Sequence, residues 1–254
     1  MENKAWIPPK TFEEKVRDLI VPDWLRIRER AWRERRKGEK EIKIIPNLLV
    51  NCNRAIDIGA NVGVWSYWLS KYSKQVESFE PNPKIFNVLK NIKISNVNTY
   101  NVALSNKSGS VNLLIPRGSK GYSNQGASLS SIKVQGEHKS LSIQARCLDE
   151  YNFSDVDFIK IDVEGHEHEV IEGAQETIKK FKPTMVIEME EKHNQIPIEE
   201  QILSVEKLGY TSNVLINNKV IKVDEINLDE FHRNPKNKNN YLFNFIFYPK
   251  INLF

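Results

Sequence analysis

A short glycine loop and two acidic residues form one chemically informative part of this 254-residue sequence. Asp57 comes at the end of an apolar run, and Gly59 and Gly63 follow it closely. Gly59 allows a tight turn after a strand, while Gly63 lets the next helix pack against the loop. Glu80 ends the next apolar run, 21 residues after Gly59, and an acid at about this spacing can bind ribose hydroxyls. The pattern predicts a site for a ribose-bearing cofactor.

The charge of Asp57 indicates which cofactor the loop would bind. A dinucleotide would present a pyrophosphate to this loop, and a carboxylate directly before the glycines would repel it. S-adenosylmethionine carries an ammonium and a sulfonium, and opposite charge in a partly dry cleft favours such a ligand. The alternative is a surface Asp57 and Glu80 without a ligand. It is disfavoured because both acids end consecutive strands, where doubly wound folds bind ligands.

A second cluster of polar residues, IKIDVEGHE over residues 159–167, follows a later apolar run. Alternation along a strand places Lys160, Asp162 and Glu164 on one face. Charges at the end of an otherwise apolar parallel strand indicate the ligand crevice, and Glu188 ends the next strand in the same pattern. The candidate catalytic residues are therefore Asp162, Glu164, His166 and Glu188.

These candidates leave the proton acceptor open. His166 is the natural type of base, since its unperturbed pKa is about 6.5, but it is also placed to cap a helix. The three carboxylates are alternatives as bases, as hydrogen-bond acceptors or as Mg²⁺ ligands. His193 is a weaker candidate for lining the cleft. No His or Cys cluster has zinc-site spacing, so we predict no metal centre.

The elements that must position these residues alternate between strand and helix from residue 54 onward. We predict one strand over 96–104, one helix over 166–181, and a closing strand over 241–248. This alternation is typical of an α/β fold with a doubly wound, mostly parallel, Rossmann-like sheet, here of seven strands. Small apolar residues at the end of the third strand, Val102–Leu104, suit a flat adenine ring.

The predicted organisation is an N-terminal basic helical extension, residues 1–45, and one α/β domain, residues 46–254. The alternation pauses at about 108–147, where two strand-like runs flank a tract rich in Gly, Ser and Asn. We expect a loop or hairpin insert there. Its tract over 117–131 is expected to form a lid and to shape the site where a substrate binds.

The N-terminal extension holds the whole net charge. Residues 1–50 contain 13 Lys and Arg against 9 Asp and Glu, which equals the net charge of +4 of the full chain. In the segment 24–37, Trp24, Ile27, Ala31 and Trp32 have helical spacing and suggest one apolar stripe. The favoured interpretation is a solvated face on a packed helix; the alternative is an arm that faces nucleic acid, a phosphorylated sugar or a membrane surface.

Bulk properties limit the class of protein. Hydrophobic residues make up 40% of the chain and charged residues 28%, values that are ordinary for a globular protein. No apolar run reaches the roughly 18 residues of a membrane span, and the N-terminus has no apolar signal core. The two cysteines, Cys52 and Cys147, share no motif, so we expect a reducing cytoplasm. The sequence carries no signal for the oligomeric state.

Several segments together resemble the FkbM-type methyltransferases, a branch of the class I, Rossmann-like enzymes that use S-adenosylmethionine. The segments are DIGANVGVWS, FEPNP, NVALSNKSG, LDEY and DFIKIDVEGHEHEVIEGA, and they cover residues 54–190, with NFIFYP at the end of the chain. The resemblance implies that the loop holds the methionine part, that Glu80 binds the ribose, and that Asn82 and Ala103 lie near the adenine. The expected cofactor contacts are Asp57, Gly59, Ala60, Asn61, Gly63, Glu80, Pro81, Asn82, Ala103 and Asp162.

The resemblance implies O-methylation of a hydroxyl on a sugar, glycan, lipid or other small molecule, with S-adenosyl-L-methionine as cofactor. Two alternatives remain. An RNA ribose or cap methyltransferase would use the basic residues 24–37, although we do not favour a nucleic-acid partner. An inactive scaffold would bind the cofactor and hold a partner through the same arm; the intact acidic motif argues against it.

Overall fold

A computed structural model describes residues 7–118, 121–122, 126–237 and 240–250. The strands are β1 (Cys52–Ile58), β2 (Ser73–Phe79), β3 (Val97–Tyr100), β4 (Ala103–Leu104), β5 (Gly109–Gly118), β6 (Gly121–Tyr122), β7 (His138–Arg146), β8 (Val156–Ile161), β9 (Thr184–Glu188), β10 (Tyr210–Ile216), β11 (Lys219–Lys222) and β12 (Asn244–Pro249). They form an eight-stranded main sheet and a four-stranded second sheet.

The main sheet has the order β11-β10-β12-β9-β8-β1-β2-β3. The five neighbouring strands β3, β2, β1, β8 and β9 are parallel. Strand β12 lies between β9 and β10 and runs antiparallel to both. This arrangement confirms the doubly wound, Rossmann-like α/β fold, but seven strands was an underestimate. The eighth strand, β11, pairs with β10 through a two-residue turn at Asn217 and Asn218, both with positive φ, as the tight turn of a hairpin requires.

Helices cover both faces of the main sheet. They are α1 (Phe12–Ile20), α2 (Asp23–Lys37), α3 (Ile45–Leu48), α4 (Val64–Leu69), α5 (Pro83–Leu89), α6 (Glu167–Glu172), α7 (Gln175–Phe181), α8 (Glu191–Asn194) and α9 (Ile198–Glu206). Strand alternation divides β1 between two cores, with Ile56 and Ile58 in one and Ala55 in the other. Within the described residues, none of these helices combines the length and apolarity that a membrane crossing needs.

The second sheet is the insert, and it changes one sequence prediction. Its order is β4-β7-β5-β6, and β5 and β7 form the long antiparallel pair expected of a hairpin. The single strand predicted over 96–104 is wrong, because β3 stays in the main sheet whereas Ala103 and Leu104 pair with Ala145 and Arg146 of β7. The chain therefore leaves the main sheet at Asn101–Val102 and carries the insert above the strand ends.

A break at Gly173 divides the single helix predicted over 166–181 into α6 and α7. An added Cβ at Gly173 would lie 2.0 Å from the backbone oxygen of Ser105, so only glycine allows this close approach to the insert. The apolar stripe expected across the break is intact, since Val170, Ala174 and Ile178 are all buried.

The N-terminal helix α2 packs against α4 through Ile27 and Ala31, and the indole of Trp68 donates to the Ala31 carbonyl at 2.9 Å. The predicted single apolar stripe is wrong in part. Trp24 and Trp32 lie on the exposed side, and Trp32 only touches Trp68 edge-on. The helix therefore has one apolar contact with the fold and a second apolar face in solvent.

Candidate cofactor and acceptor site

An open cavity, whose volume of about 740 Å³ includes space open to solvent, lies at the carboxyl ends of β1, β2 and β8, beside the point where the strand order reverses. Part of the insert, residues 126–129, forms its roof. The described residues that line it are Ile58, Gly59, Asn61, Phe79, Glu80, Pro81, Asn82, Val102, Ala103, Leu104, Leu113, Gly126, Ala127, Ser128, Leu129, Asp162, Val163, Glu164 and His166.

The glycine loop turns tightly against neighbouring backbone. The amides of Gly59 and Ala60 both donate to the carbonyl of Phe79, at 3.0 and 2.9 Å. Gly59 has a φ of +79°, and an added Cβ would lie 1.8 Å from the backbone oxygen of Asp162. Gly63 instead meets apolar side chains of Leu89 and Ile92, so it serves helix packing. Of these two glycines, Gly59 alone is among the described residues that line the cavity.

Glu80 is a buried carboxylate at the cavity wall. Its two oxygens accept backbone hydrogen bonds from Asn82 at 2.8 Å and from Asn61 at 2.9 Å. Burial raises the pKa of Glu80 to about 7, although these two amides stabilise the charged form. Each oxygen retains a lone pair, so the carboxylate can accept two further hydrogen bonds from a ligand.

Asn82 contributes an unsatisfied donor to the same wall. Its side-chain oxygen caps α5 by accepting from the Lys84 amide at 3.0 Å. Its Nδ2 atom is buried and has no hydrogen-bond partner among the described residues. Since an unpaired buried donor costs roughly 1–3 kcal/mol, this amide is suited to an acceptor atom of a ligand. Pro81 and Ala103 line the cavity beside it.

Asp57 lies behind the loop and does not line the cavity in the described part of the chain. Its carboxylate accepts from the Ser66 hydroxyl of α4 at 2.5 Å, and Ser78 donates to that hydroxyl at 2.9 Å. Burial raises the pKa of Asp57 to about 6. The residue ties β1 and β2 to α4, so its position favours shaping the loop over direct ligand contact.

Asp162 and Glu188 lie at the ends of the neighbouring strands β8 and β9. Burial raises the pKa of Asp162 to about 7, against the opposing charge of Lys160. Burial, followed by the Asp162 charge, raises the pKa of Glu188 to about 9. Burial disfavours the charged form of Lys160 and would lower its pKa. The nearby carboxylates of Asp162 and Glu39 favour the charged form more strongly, so the pKa of Lys160 is raised. At neutral pH, Glu188 therefore keeps its proton while Asp162 exchanges one.

His166 lines the cavity, with both ring nitrogens near partners. Its Nε2 lies 2.9 Å from the Ser105 hydroxyl, and its Nδ1 lies 3.3 Å from a carboxylate oxygen of Glu169. Burial lowers the pKa of His166, although Glu169 opposes the shift. A neutral imidazole held in this way connects the 159–167 segment to the insert.

A second polar cluster includes Glu164 of the cavity wall. Glu164, Glu188 and His193 have oxygen and nitrogen atoms within 4.8 Å of one another, which is close enough to hold a cation. The ammonium of Lys133 already supplies positive charge there, at 2.7 Å from Glu164 and in contact with the His193 ring. Sequence reasoning missed Lys133, and no motif marks it, because it comes from the insert 60 residues before His193.

Another contact that the sequence did not indicate joins the roof to the 159–167 segment. The Ser128 hydroxyl donates to the backbone oxygen of Glu164 at 2.6 Å, and Ser130 reaches the carbonyl of His193 at 3.3 Å. Of the predicted lid, residues 119–120 and 123–125 lie outside the described residues.

The structure brings most of the predicted site residues to one cavity. Those that line it are Gly59, Asn61, Glu80, Pro81, Asn82, Ala103, Asp162, Glu164 and His166. Asp57, Ala60, Gly63 and Glu188 are not among the described lining residues. The first three belong to the loop and the end of the strand before it, and Glu188 lies near enough to Asp162 for the charge of Asp162 to raise its pKa.

A solved structure shares this fold. The methyltransferase FkbM from Methylobacillus flagellatus KT is 15% identical over 78% of this chain, with a TM-score of 0.51, and the chain spans 44% of that protein. An rRNA methylase from Streptococcus thermophilus is 12% identical, covering 84% of this chain and 95% of its own, with a TM-score of 0.48. At 15% identity, the likeness to the first structure supports the fold alone.

Sequence comparison gives the family. No curated protein sequence matches the chain significantly. The family model described as the methyltransferase FkbM domain matches residues 57–212, which is more than half of the chain. The match includes the glycine loop, Glu80, the insert and the 159–167 segment that line the cavity. This chain belongs to the FkbM methyltransferase family.

Proposed function

We propose that this protein transfers the methyl group of S-adenosylmethionine to a hydroxyl of a sugar, glycan, lipid or other small molecule. The observation that carries the proposal is the composition of one cavity. It offers the free lone pairs of Glu80 and the unpaired amide of Asn82. It also offers Asp162, whose raised pKa of about 7 suits proton exchange.

The cavity wall fits the adenosine part of this cofactor. Glu80 would accept from both ribose hydroxyls, because each carboxylate oxygen keeps a lone pair beside its backbone donor. The buried Nδ2 of Asn82 would donate to a ring nitrogen of the adenine, which removes an unsatisfied donor. When bound, the cofactor supplies an electrophilic methyl group on a sulfonium.

Asp162 is our proposed proton acceptor. It lines the cavity, and no hydrogen bond or ion pair engages its carboxylate within the described residues. A pKa of about 7 places it near a neutral working pH, where a general base is most effective. The hydroxyl oxygen of the acceptor would take the methyl group as the bond between sulfur and the methyl carbon breaks and S-adenosylhomocysteine leaves, and the hydroxyl proton would pass to the carboxylate of Asp162. His166 is instead a positioning residue, held by Ser105 and Glu169.

The roof and the acceptor side would orient the hydroxyl. Ser128 fixes the roof to the Glu164 carbonyl, so the insert would cover a bound acceptor from one side. Burial and the charge of Asp162 raise the pKa of Glu188 to about 9, so a neutral Glu188 would lie beside the proposed base. Alignment of this kind can supply roughly 7–11 kcal/mol of the barrier.

Product analysis by mass spectrometry tests the proposal. The full chain would be incubated with S-adenosylmethionine and panels of hydroxylated sugars, glycans, lipids and RNA. Asp162→Asn should lower turnover on the order of 10²- to 10⁴-fold, with unchanged affinity for S-adenosylhomocysteine. Asp157→Asn is the matched control, because Asp157 lies on the same strand but is exposed and bonds the Asn53 amide at 2.7 Å. Full activity of Asp162→Asn would overturn its role as the base.

The two alternatives give different products. An RNA methyltransferase would modify the RNA panel, and its binding would weaken steeply with salt. A scaffold would bind S-adenosylhomocysteine and methylate nothing in any panel. The packing of α2 through Ile27 and Ala31 agrees with the interpretation of a helix that belongs to the fold.

A further inference from the structure

The first described helix, α1, has its apolar face in solvent. Phe12, Val16, Leu19 and Ile20 fall on one side of the helix by their spacing, and no residue of α1 is buried. Leu19 is 87% exposed and Ile20 is 72% exposed. An amphipathic helix of a globular protein normally turns such a face to the core. Here the orientation is reversed.

Ion pairs fix this orientation from the polar side. Glu14 pairs with the buried ammonium of Lys84 at 2.9 Å, and the same ammonium donates to the carbonyl of Pro9 at 3.0 Å. Asp18 pairs with Arg26 of α2. The polar face of α1 is therefore bound to the fold, and its apolar face is left for another surface.

The exposed side of α2 continues this surface. Trp24, Arg28, Trp32 and Arg36 are spaced four residues apart, so they form one stripe along the helix. Trp24 and Trp32 are 40% and 47% exposed, and Leu25 is also exposed beside them. Tryptophan at the boundary and arginine toward the head groups are the residue types that bind the surface of a bilayer.

Charge indicates which surface fits. The whole net charge of +4 lies in the first 50 residues, and three acids of this part already have internal partners. Two of them, Asp18 and Asp23, pair with Arg26, and Glu14 pairs with Lys84. The outward side is therefore basic and apolar together. A second copy of the chain would bring the arginine stripe of α2 against itself, which is unfavourable.

We propose that α1 and the outer stripe of α2 dock this protein on an anionic lipid bilayer. Helix α1 lies flat, with Phe12, Leu19 and Ile20 at the boundary between head groups and acyl chains, and the arginines of α2 contact lipid phosphates. This docking surface is separate from the cofactor cavity, so it stands whether or not the proposed methyl transfer is correct.

Co-sedimentation of the full chain with vesicles tests the proposal. Vesicles of phosphatidylcholine would be compared with vesicles that also contain phosphatidylserine, and the latter should bind the protein at least about tenfold more strongly. Leu19→Glu combined with Ile20→Glu should weaken that binding by roughly tenfold or more, because the variant lacks two apolar side chains that would move from water into the bilayer. Thermal unfolding should be unchanged, since neither side chain is buried.

The matched control is Leu203→Glu, at an exposed leucine of α9 that lies outside the proposed surface. It should keep wild-type binding. Arg28→Glu combined with Arg36→Glu should remove the preference for vesicles that contain phosphatidylserine, although this variant keeps the apolar side chains of Leu19 and Ile20. Equal binding of the wild type and the Leu19/Ile20 variant would overturn the proposal. So would a dimer that the variant dissociates, or tight RNA binding without vesicle binding, because each assigns the surface to another partner.

Discussion

The proposed site has a cofactor end and an acceptor end, and the two are built in different ways. The cofactor end comes from consecutive elements, with Gly59, Asn61, Glu80 and Asn82 all contributed by the first two strand–helix units. The acceptor end joins Lys133 of the insert, Glu164 after β8 and His193 of α8. Backbone hydrogen bonds fix the first end, whereas crowded charges hold the second. We infer that the cofactor end is rigid and does not select the substrate, and that the acceptor end determines which substrate binds.

The largest expected effect is at the cofactor end. Gly59→Ala places a Cβ where the Asp162 oxygen lies, so the loop must move and affinity for S-adenosylhomocysteine should fall at least about 100-fold. Gly136→Ala is the matched control, because Gly136 has a similar φ of +82° with nothing within 4 Å of an added Cβ. It should cost only about 1–2 kcal/mol of stability. Calorimetric titration and thermal unfolding measure both, and equal affinities would refute a rigid cofactor end.

The corresponding change at the acceptor end should separate turnover from cofactor binding. Gly165→Ala brings a Cβ to 2.7 Å from the His193 carbonyl, so the turn between Glu164 and His166 must shift. Turnover should fall on the order of 10- to 100-fold, because alignment is lost. Affinity for S-adenosylhomocysteine should stay within about twofold. A loss of affinity equal to that of Gly59→Ala would show that the two ends are one unit.

The pH dependence of stability should also distinguish the ends. The pKa of Glu80 is raised to about 7 and that of Glu188 to about 9, so the folded protein binds protons that the unfolded chain has released. These groups therefore stabilise the fold fully below about pH 4, and stability falls as pH rises toward their folded pKa values, by up to about 1.4 kcal/mol per pH unit for each group. Urea unfolding at a series of pH values measures this fall.

Substitution identifies the group that causes each part of the decrease. Glu80→Gln should reduce the slope only between about pH 4.5 and 7, whereas Glu188→Gln should reduce it over the whole range from about pH 4.5 to 9, so that the fall above pH 7 is the part specific to Glu188. A curve that rises from pH 5 to 8 in the wild type would contradict the raised pKa values.

The smallest expected effect is that of metal removal. Lys133 places an ammonium 2.7 Å from Glu164 and against His193, so the acceptor end already has a cation between its ligands. Chelation with EDTA should leave turnover of the wild type unchanged. A loss that Mg²⁺ restores would instead assign Glu164, Glu188 and His193 to a divalent cation.

The sequence predicted the cofactor end better than the acceptor end, for a physical reason. Glu80 is identified by its distance along the chain from Gly59, because one strand–helix unit fixes that distance. The contact of Lys133 with His193 depends on how the insert folds back over 60 residues, and no local pattern records it. The strand predicted over 96–104 was wrong because Ala103 pairs with β7, a tertiary choice that apolar alternation alone does not determine.

Asp57 illustrates an intermediate case. Its place before the glycines was clear, but its side chain shares the α4 side of β1 with Ala55, where Ser66 binds it. Because side chains alternate along a strand, the sequence itself places Asp57 on the same face as Ala55. The prediction instead rested on the charge of Asp57, which does not determine the direction of its side chain.

The most direct test of the cofactor end is calorimetric titration of S-adenosylhomocysteine into the wild type, Glu80→Gln and Glu77→Gln. Glu77 is an equally buried acid of β2 that accepts from Tyr100 at 2.9 Å instead of facing the cavity. We expect wild-type affinity to increase as pH rises through about 7, where Glu80 ionises. Glu80→Gln should bind roughly 10- to 100-fold more weakly without that pH dependence, and Glu77→Gln should bind like the wild type. No binding to the wild type, or equal binding by Glu80→Gln, would contradict the proposed cofactor site.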